Sequence, residues 1–171
     1  IFPGNETINF ELGTLYVPEN RADPKSRLIG VGFARFKAPR PTGAPPTFHL
    51  PGGPGSSYLT GWKPGANQRA NRPTDIEQYR RISDVVFVDQ RGYSERGGVL
   101  TFKYRTQEHP LDQPISIDRS TAALVEVSRA AVAEFAGKGA DLSGYTVKEL
   151  ADDVNDLRKA LGYDRITLIG Q

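Results

Sequence analysis

The chain has 171 residues, enough for one domain with a core, and its 22 basic and 20 acidic residues leave a net charge of +2. No run of five or more Lys or Arg residues could line a phosphate-binding stripe, so nucleic acid is not an expected partner. There is no cysteine, and His49 and His109 are far apart, so neither a disulfide nor a metal cluster is expected and we predict no cofactor.

No stretch reaches the roughly 18 apolar residues that span a bilayer, so no membrane partner is expected. Residues 1–9 lack the basic-then-apolar order of a signal peptide. The chain begins with Ile1 and contains no methionine, which indicates a processed or excised piece of a longer product. An export signal removed earlier would fit such a piece, and export is favoured over the cytoplasm.

Four strands are predicted in the first half of the chain. Residues 8–17 and 27–36 are rich in aliphatic and aromatic residues and flank the turn-prone residues 19–26, which predicts an antiparallel strand pair. Residues 47–50 predict a short strand that enters a loop rich in glycine and proline. Residues 85–88 are four consecutive apolar residues, typical of a central parallel strand buried on both faces.

Two helices are predicted in the second half. Residues 122–135 carry apolar residues at helical spacing, which predicts an insertion helix that ends at Gly137. The next helix has Thr146 as N-cap and Glu149 three residues later, the pattern of a capping box, and Gly162 ends it. The apolar stripe of this second helix comprises Val147, Leu150, Val154, Leu157 and Leu161.

A second short apolar run, residues 166–169, predicts a buried strand after this helix. Strand, crossover helix and strand in succession are typical of a parallel sheet. We therefore predict an α/β fold, with a mostly parallel sheet and an antiparallel N-terminal strand pair, and residues 1–171 as part of one domain.

The glycine loop, residues 50–57 with the sequence Leu-Pro-Gly-Gly-Pro-Gly-Ser-Ser, directly follows a predicted strand. Adjacent Gly52 and Gly53 let a backbone N–H come close to a ligand, and Pro54 stiffens the loop, as an oxyanion hole requires. Taken alone, the segment fits a tight turn without a ligand equally well. No Gly-Lys-Ser/Thr follows, so a phosphate loop is not expected.

Two further motifs follow predicted strands. Residues 89–92, Asp-Gln-Arg-Gly, fall at the carboxyl edge of the sheet, where open α/β folds gather their sites. An Asp and an Arg two residues apart more often brace a loop than perform chemistry, so a structural role is expected there. Residues 169–171, Ile-Gly-Gln, match the start of a Gly-x-Ser-x-Gly turn up to the residue before its serine.

In this order and spacing the three motifs resemble those of the proline iminopeptidases and tripeptidyl aminopeptidases of the α/β-hydrolase superfamily. Their Gly-Gly-Pro-Gly oxyanion loop matches residues 52–55, their Asp-Gln-Arg-Gly matches residues 89–92, and their stretch before the nucleophile resembles residues 141–163. Pro51 stands where proline iminopeptidases usually carry His, and the long segment 97–144 is more similar to the tripeptidyl branch.

The resemblance implies a serine hydrolase that removes short units from peptide N-termini through an acyl-enzyme. It implies that the family's Ser, Asp and His follow Gln171 in sequence and that this chain forms the N-terminal portion of the hydrolase domain. We expect the triad to lie on a complementary C-terminal chain. Here the expected contribution is the oxyanion N–H of Gly53, with Gly52 permitting close approach. His49 and His109 are expected to be structural, because the triad histidine follows the serine in this fold.

Two alternatives share these motifs: a carboxylic-ester hydrolase, and a hydrolase-like binding protein without a nucleophile. The residue after Gln171 decides between an enzyme and a binding protein. We expect a serine there, with the precursor cut after Gln171 to give a heterodimer, so that Gly170 and Gln171 mark both the elbow and the cleavage point. We also expect that this portion does not fold independently.

Overall fold

The computed structural model describes residues 9–40, 42–52, 57–61, 76–103, 112, 114 and 116–170. The strands within these residues are β1 (Glu11–Pro18), β2 (Leu28–Phe36), β3 (Thr47–Leu50), β4 (Val85–Val88), β5 (Tyr93–Ser94), β6 (Gly98–Val99) and β7 (Thr167–Gly170). The helices are α1 (Ile76–Arg80), α2 (Ile117–Gly137) and α3 (Val147–Ala160), with 3₁₀ turns at Leu59–Gly61 and Leu142–Gly144.

Five strands form one mixed sheet in the order β1-β2-β4-β3-β7. β1 pairs with β2, and β2 with β4, in antiparallel orientation, whereas β3 pairs in parallel with both β4 and β7. The predicted α/β class and the antiparallel N-terminal pair are therefore confirmed. The prediction of a mostly parallel sheet is too strong for the described residues, because two of these four pairings are antiparallel.

β4 is the central strand of this sheet, as its sequence predicts. All four of its residues, Val85–Val88, are buried, because β2 and β3 flank the strand and both of its faces are covered. Because no side chain of such a strand faces solvent, its sequence is continuously apolar and does not alternate between apolar and polar residues. The strand nevertheless runs parallel to one neighbour only.

Helices cover the two faces of the sheet. One face holds the core cluster of Val17, Val31, Phe48, Val86, Val88 and the α3 residues Val154 and Leu157. The other face holds the cluster of Ala34, Phe36, Val85, Phe87, Leu59 and the α1 residue Ile76. The sequence analysis did not predict α1, whose five residues are too few to show a helical period. The result is a layered α/β arrangement with one helix packed on each side.

α3 begins as predicted, with Thr146 Oγ1 accepting the backbone N–H of Glu149 at 3.2 Å, and Gly162 follows the helix with φ of +77°. The inclusion of Val147 in the buried stripe is wrong, because this side chain is 85% exposed. Glu149 lies two residues on, about 200° around the helix, and is buried. It anchors the first turn and so directs Val147 to solvent.

Two other boundaries and burial predictions need correction. α2 begins at Ile117 rather than at residue 122, because Ser116 caps it by accepting the N–H of Arg119 at 3.4 Å. β7 forms where residues 166–169 predicted a strand, but it is not buried, and Leu168 is 56% exposed. In the described part of the chain β7 pairs only with β3 and is an edge strand. None of the helices described has the length and apolar character to cross a membrane.

We predict that the 171-residue chain on its own does not behave as a cooperative monomer. Among the residues that the structure describes, no strand pairs with the outer edge of β7, and apolar Leu168 and Ile169 project from opposite faces of that strand, an arrangement that promotes edge-to-edge association. Analytical ultracentrifugation and thermal unfolding of the isolated chain are expected to show oligomers and a broad transition. A sharp, reversible transition of a monomer would contradict this expectation.

Candidate functional site

The carboxyl ends of β3, β4 and β7 lie at one edge of the sheet, because these three strands are parallel. The register places Leu50 of β3 opposite Gly170 of β7, and His49 opposite Phe87 of β4. The glycine loop begins at the end of β3, residues 89–92 follow β4, and Ile169 and Gly170 end β7, so the described parts of the three motifs lie at this edge. After β3 the chain continues to β4 on one side of that strand and then to β7 on its other side, and open α/β sheets bind ligands outside the carboxyl ends of the strands at such a switch point.

The glycine loop leaves β3 at this edge. Pro51 is buried and Gly52 is half-buried, and the loop is described again from Ser57 onwards. Gly53, the predicted oxyanion donor, lies outside the described residues, and so does Gln171, the predicted cleavage point. Of the four predicted site residues, the structure therefore describes Gly52 and Gly170, and places both at the same sheet edge.

Asp89 holds the far end of the glycine loop. Its carboxylate is 2% exposed, and the hydroxyl of Ser57 lies 2.9 and 2.8 Å from its two oxygens. Ser57 Oγ in turn accepts the backbone N–H of Leu59 at 3.0 Å. Burial raises the pKa of Asp89, and hydrogen bonds from Ser57, Ser94 and the backbone N–H groups of Leu59 and Tyr58 offset this only in part.

Gln90 holds the near end of the same loop. Its side-chain Nε2 donates to the carbonyl oxygen of Pro51 at 3.1 Å. Consecutive side chains at the end of β4 thus bond the loop on both sides of its glycines. We call Asp89 and Gln90 together the loop anchor. A structural role was predicted for residues 89–92, but the segments that they contact were not.

Arg91 braces a different part of the molecule and has the structural role expected of it. It is 4% exposed, and its Nε and Nη2 bond the two carboxylate oxygens of Asp153 at 2.7 and 2.6 Å. Its Nη1 donates to the carbonyl oxygens of Glu19 and Gly144 at 2.7 and 2.5 Å. Planar bidentate pairing of this kind fixes orientation as well as charge. Arg91 therefore ties the end of β4 to α3 and to the turn after β1.

Gly92 permits this arrangement. Its φ of +79° lies in the left-handed region, and a Cβ added there would meet the ring of Tyr145 at 3.0 Å. Only glycine meets both conditions without strain. The motif therefore combines a loop anchor, a buried brace and a turn residue in four consecutive positions.

An ion network that was not predicted from the sequence joins Arg91 to the turn after β1. Its members are Arg21, Arg91, Glu149, Asp153 and Asp156. Arg21 Nη2 lies 2.8 Å from Asp153 Oδ1 and 2.7 Å from Asp156 Oδ2. The available signal was the i, i+4, i+7 spacing of the three acidic residues, which puts them on one face of α3.

Acid should weaken this network. Burial alone would raise the pKa of Glu149, but hydrogen bonds from Arg21 and the charges of Arg21 and Arg91 outweigh it and hold that pKa below 4.5. A carboxyl with a lowered folded-state pKa stabilises the fold above its unfolded pKa, and this stability is lost as the pH falls through the folded value. We predict that Glu149→Gln lowers the free energy of unfolding most at neutral pH and progressively less in acid. Equal losses by denaturant titration at pH 7 and pH 3 would contradict this.

His49 has the structural role expected of it. It is a buried residue of β3, and its ring stacks on Phe87 at 4.8 Å and meets Tyr79 edge-on at 5.0 Å between centroids. His109 lies outside the described residues. In the part of the chain that the structure describes, no group of three or more His, Asp or Glu side chains is placed to hold a metal ion.

At this edge the described flanks of the glycine loop are each held by a hydrogen bond to a side chain at the end of β4, the Asp89 carboxylate or the Gln90 amide. Gly52, Pro51 and Ser57 belong to a loop whose flanks are fixed, and the end of β7 lies beside it. Comparison of the chain with protein-family models and with curated proteins gives no match. The resemblance to the α/β-hydrolases stays a prediction from the three motifs and their order.

Proposed function

We propose that this chain is the N-terminal portion of an α/β-hydrolase domain and forms the oxyanion side of a serine aminopeptidase. The enzyme would release short units from peptide N-termini. The observation that carries the proposal is the register of β3 and β7, in which Leu50 lies opposite Gly170. The glycine loop therefore begins at the end of β3, and Gly170, which matches the first glycine of Gly-x-Ser-x-Gly, ends the neighbouring strand β7 at the same edge of the sheet.

Two features of the fold support this function. In α/β-hydrolases one oxyanion N–H comes from the loop after the third strand, and the other from the residue after the nucleophile. Here the glycine loop follows β3, and β7 is hydrogen-bonded to β3. A nucleophile on the turn after β7 would thus be next to the loop that carries Gly53.

In the proposed reaction a serine oxygen attacks the peptide carbonyl carbon while a histidine takes the hydroxyl proton. The carbonyl oxygen becomes an oxyanion that accepts hydrogen bonds from backbone N–H groups, including that of Gly53. The carbon–nitrogen bond then breaks, and the histidine returns the proton to the leaving amine. Water hydrolyses the resulting ester and frees the serine.

The proposed partner is a complementary C-terminal chain that carries the triad. β7 is open on one side within the described residues, and its exposed Leu168 is an apolar position that a further strand would cover. A parallel strand from that chain would pair with β7 and bury this side chain, as both faces of a central strand require. The substrate is a peptide with a free N-terminus.

The test uses the complete protein, with this chain and the triad-bearing chain together. A fluorophosphonate probe is expected to label one serine on the complementary chain, and tripeptidyl or aminoacyl amides are expected to be hydrolysed faster than a short-chain ester. Faster ester turnover would favour the carboxylic-ester hydrolase. Neither labelling nor turnover would leave a binding protein on a hydrolase-like fold and would overturn the proposal.

A further inference from the structure

The glycine loop is bonded on both flanks by two consecutive residues, an arrangement that a simple turn does not need. Before the glycines, Gln90 Nε2 donates a hydrogen bond to the carbonyl oxygen of Pro51 at 3.1 Å. After the glycines, the hydroxyl of Ser57 donates a hydrogen bond to the Asp89 carboxylate. The loop anchor itself is fixed in the sheet. The backbone N–H of Asp89 donates to the carbonyl oxygen of Gly32 at 2.9 Å. The backbone carbonyl oxygen of Gln90 accepts the N–H of Tyr93 at 3.1 Å.

The donors around Asp89 require a carboxylate in particular. The Ser57 hydroxyl lies within hydrogen-bond distance of both Asp89 oxygens, and hydrogen bonds from Ser57, Ser94 and the N–H groups of Leu59 and Tyr58 favour the charged form against the rise in the pKa of Asp89 that burial causes. An ionised carboxylate offers about four acceptor sites and no donor, whereas an amide offers one acceptor oxygen and two N–H groups. Asparagine would fit the same volume, but its NH₂ group would replace one acceptor oxygen and would face the hydrogen-bond donors around this position. The position therefore depends on the acceptor chemistry of Asp89 rather than on its size.

From this geometry we propose that Asp89 is a positioning residue, which with Gln90 sets the geometry of the glycine loop for oxyanion stabilisation. The inference rests on the proposed function and names two residues that act through the loop. Asp89 and Gln90 touch the flanks of the loop, and their effect on the reaction passes through its backbone. Oxyanion donors act mainly in the transition state, so an ill-placed loop lowers kcat more than it changes KM.

The experiment compares Asp89→Asn with Asp84→Asn in the complete protein. Asp84 is a matched control at the opposite end of β4, where its oxygens accept the N–H of Ala38 at 2.7 Å and the hydroxyl of Tyr163 at 2.6 Å. Both variants remove a carboxylate of equal shape that accepts backbone and hydroxyl hydrogens. Only Asp89 lies at the edge that carries the glycine loop.

We expect Asp89→Asn to lower kcat on the order of ten- to a hundred-fold, with KM within about three-fold of wild type. Asp84→Asn should keep the wild-type kcat. Hydrogen–deuterium exchange at the amides of Tyr58 and Leu59 should become faster in Asp89→Asn alone. Ser57→Ala should lower kcat less, and the double variant Ser57→Ala with Asp89→Asn should be no slower than Asp89→Asn, because the two changes remove one shared contact.

The proposal is overturned if Asp89→Asn keeps the wild-type kcat, if its loss appears in KM alone, or if Asp84→Asn loses kcat equally. The last result would show that Asp89 contributes only to general stability. Loss of the proposed function is distinguishable, because it is seen in the wild-type protein as absence of both fluorophosphonate labelling and peptide hydrolysis. An active wild type with an unaffected Asp89→Asn variant overturns the positioning role alone.

Discussion

Replacing Gly53 with valine is expected to lower kcat by about a hundred- to a thousand-fold, with a much smaller change in KM. Loss of one oxyanion donor typically costs about 2.7 to 4 kcal/mol of transition-state stabilisation. A β-branched side chain disfavours glycine-type backbone torsions and crowds the approach to the neighbouring N–H. Steady-state kinetics of the complete protein on a peptidyl amide would measure the effect.

A matched control for this variant is Gly137→Val at the end of α2. A Cβ at Gly137 would meet nothing within 4 Å, so the substitution adds the same side chain at a site remote from the glycine loop. It should leave kcat and KM unchanged. If Gly53→Val also retained wild-type turnover, Gly53 would be a turn residue and the oxyanion role would be wrong.

Replacing Arg91 with methionine is expected to lower the free energy of unfolding by about 3 kcal/mol or more. Removal of Arg91 takes the bidentate partner from Asp153, which is as deeply buried as Arg91 and then has its remaining contact with Arg21 to compensate its charge. Methionine fills much of the same volume, so the loss reports the charge and its hydrogen bonds. Urea denaturation of the complete protein, followed by fluorescence, would give the value.

Lys148→Met is the control for Arg91→Met, since Lys148 pairs with Asp152 on the exposed face of α3. Exposed pairs contribute little, so this variant should unfold almost as the wild type does. A double variant, Arg91→Met with Asp153→Leu, should be more stable than Arg91→Met alone, because it removes a buried charge that has lost its bidentate partner, while Arg21 keeps Glu149 and Asp156. If the double variant were less stable than Arg91→Met, the buried charge of Asp153 would not explain the loss in free energy of unfolding.

Local pattern was enough to predict the strands and their class but not their surroundings. The apolar run Val85–Val88 predicts a buried strand correctly, because the strand has neighbours on both sides. The similar run at residues 166–169 predicts a strand correctly and its burial wrongly, because burial depends on which strands pair with β7. Thr146 was predictable as a cap, since capping involves residues only three apart.

The candidate site divides in the same way. Its location followed from the rule that parallel strands end at one edge, which brings the segments after β3, β4 and β7 together. The loop anchor did not follow, because its contacts join residues 32 and 39 positions apart in the chain. The contacts of the ion network join residues that are even farther apart in the chain, and no local pattern indicates that Arg21 bonds Asp153.

This long range has a consequence in time. Arg21 and Asp153 are 132 positions apart, so a ribosome that adds roughly 5–20 residues per second needs about 7 to 26 s to make the second after the first. Throughout that interval β1 and β2 exist without the acidic face of α3, and the guanidinium of Arg21 remains in water. The Arg21 side chain is therefore among the first parts of the chain to be synthesised and among the last to acquire its partners.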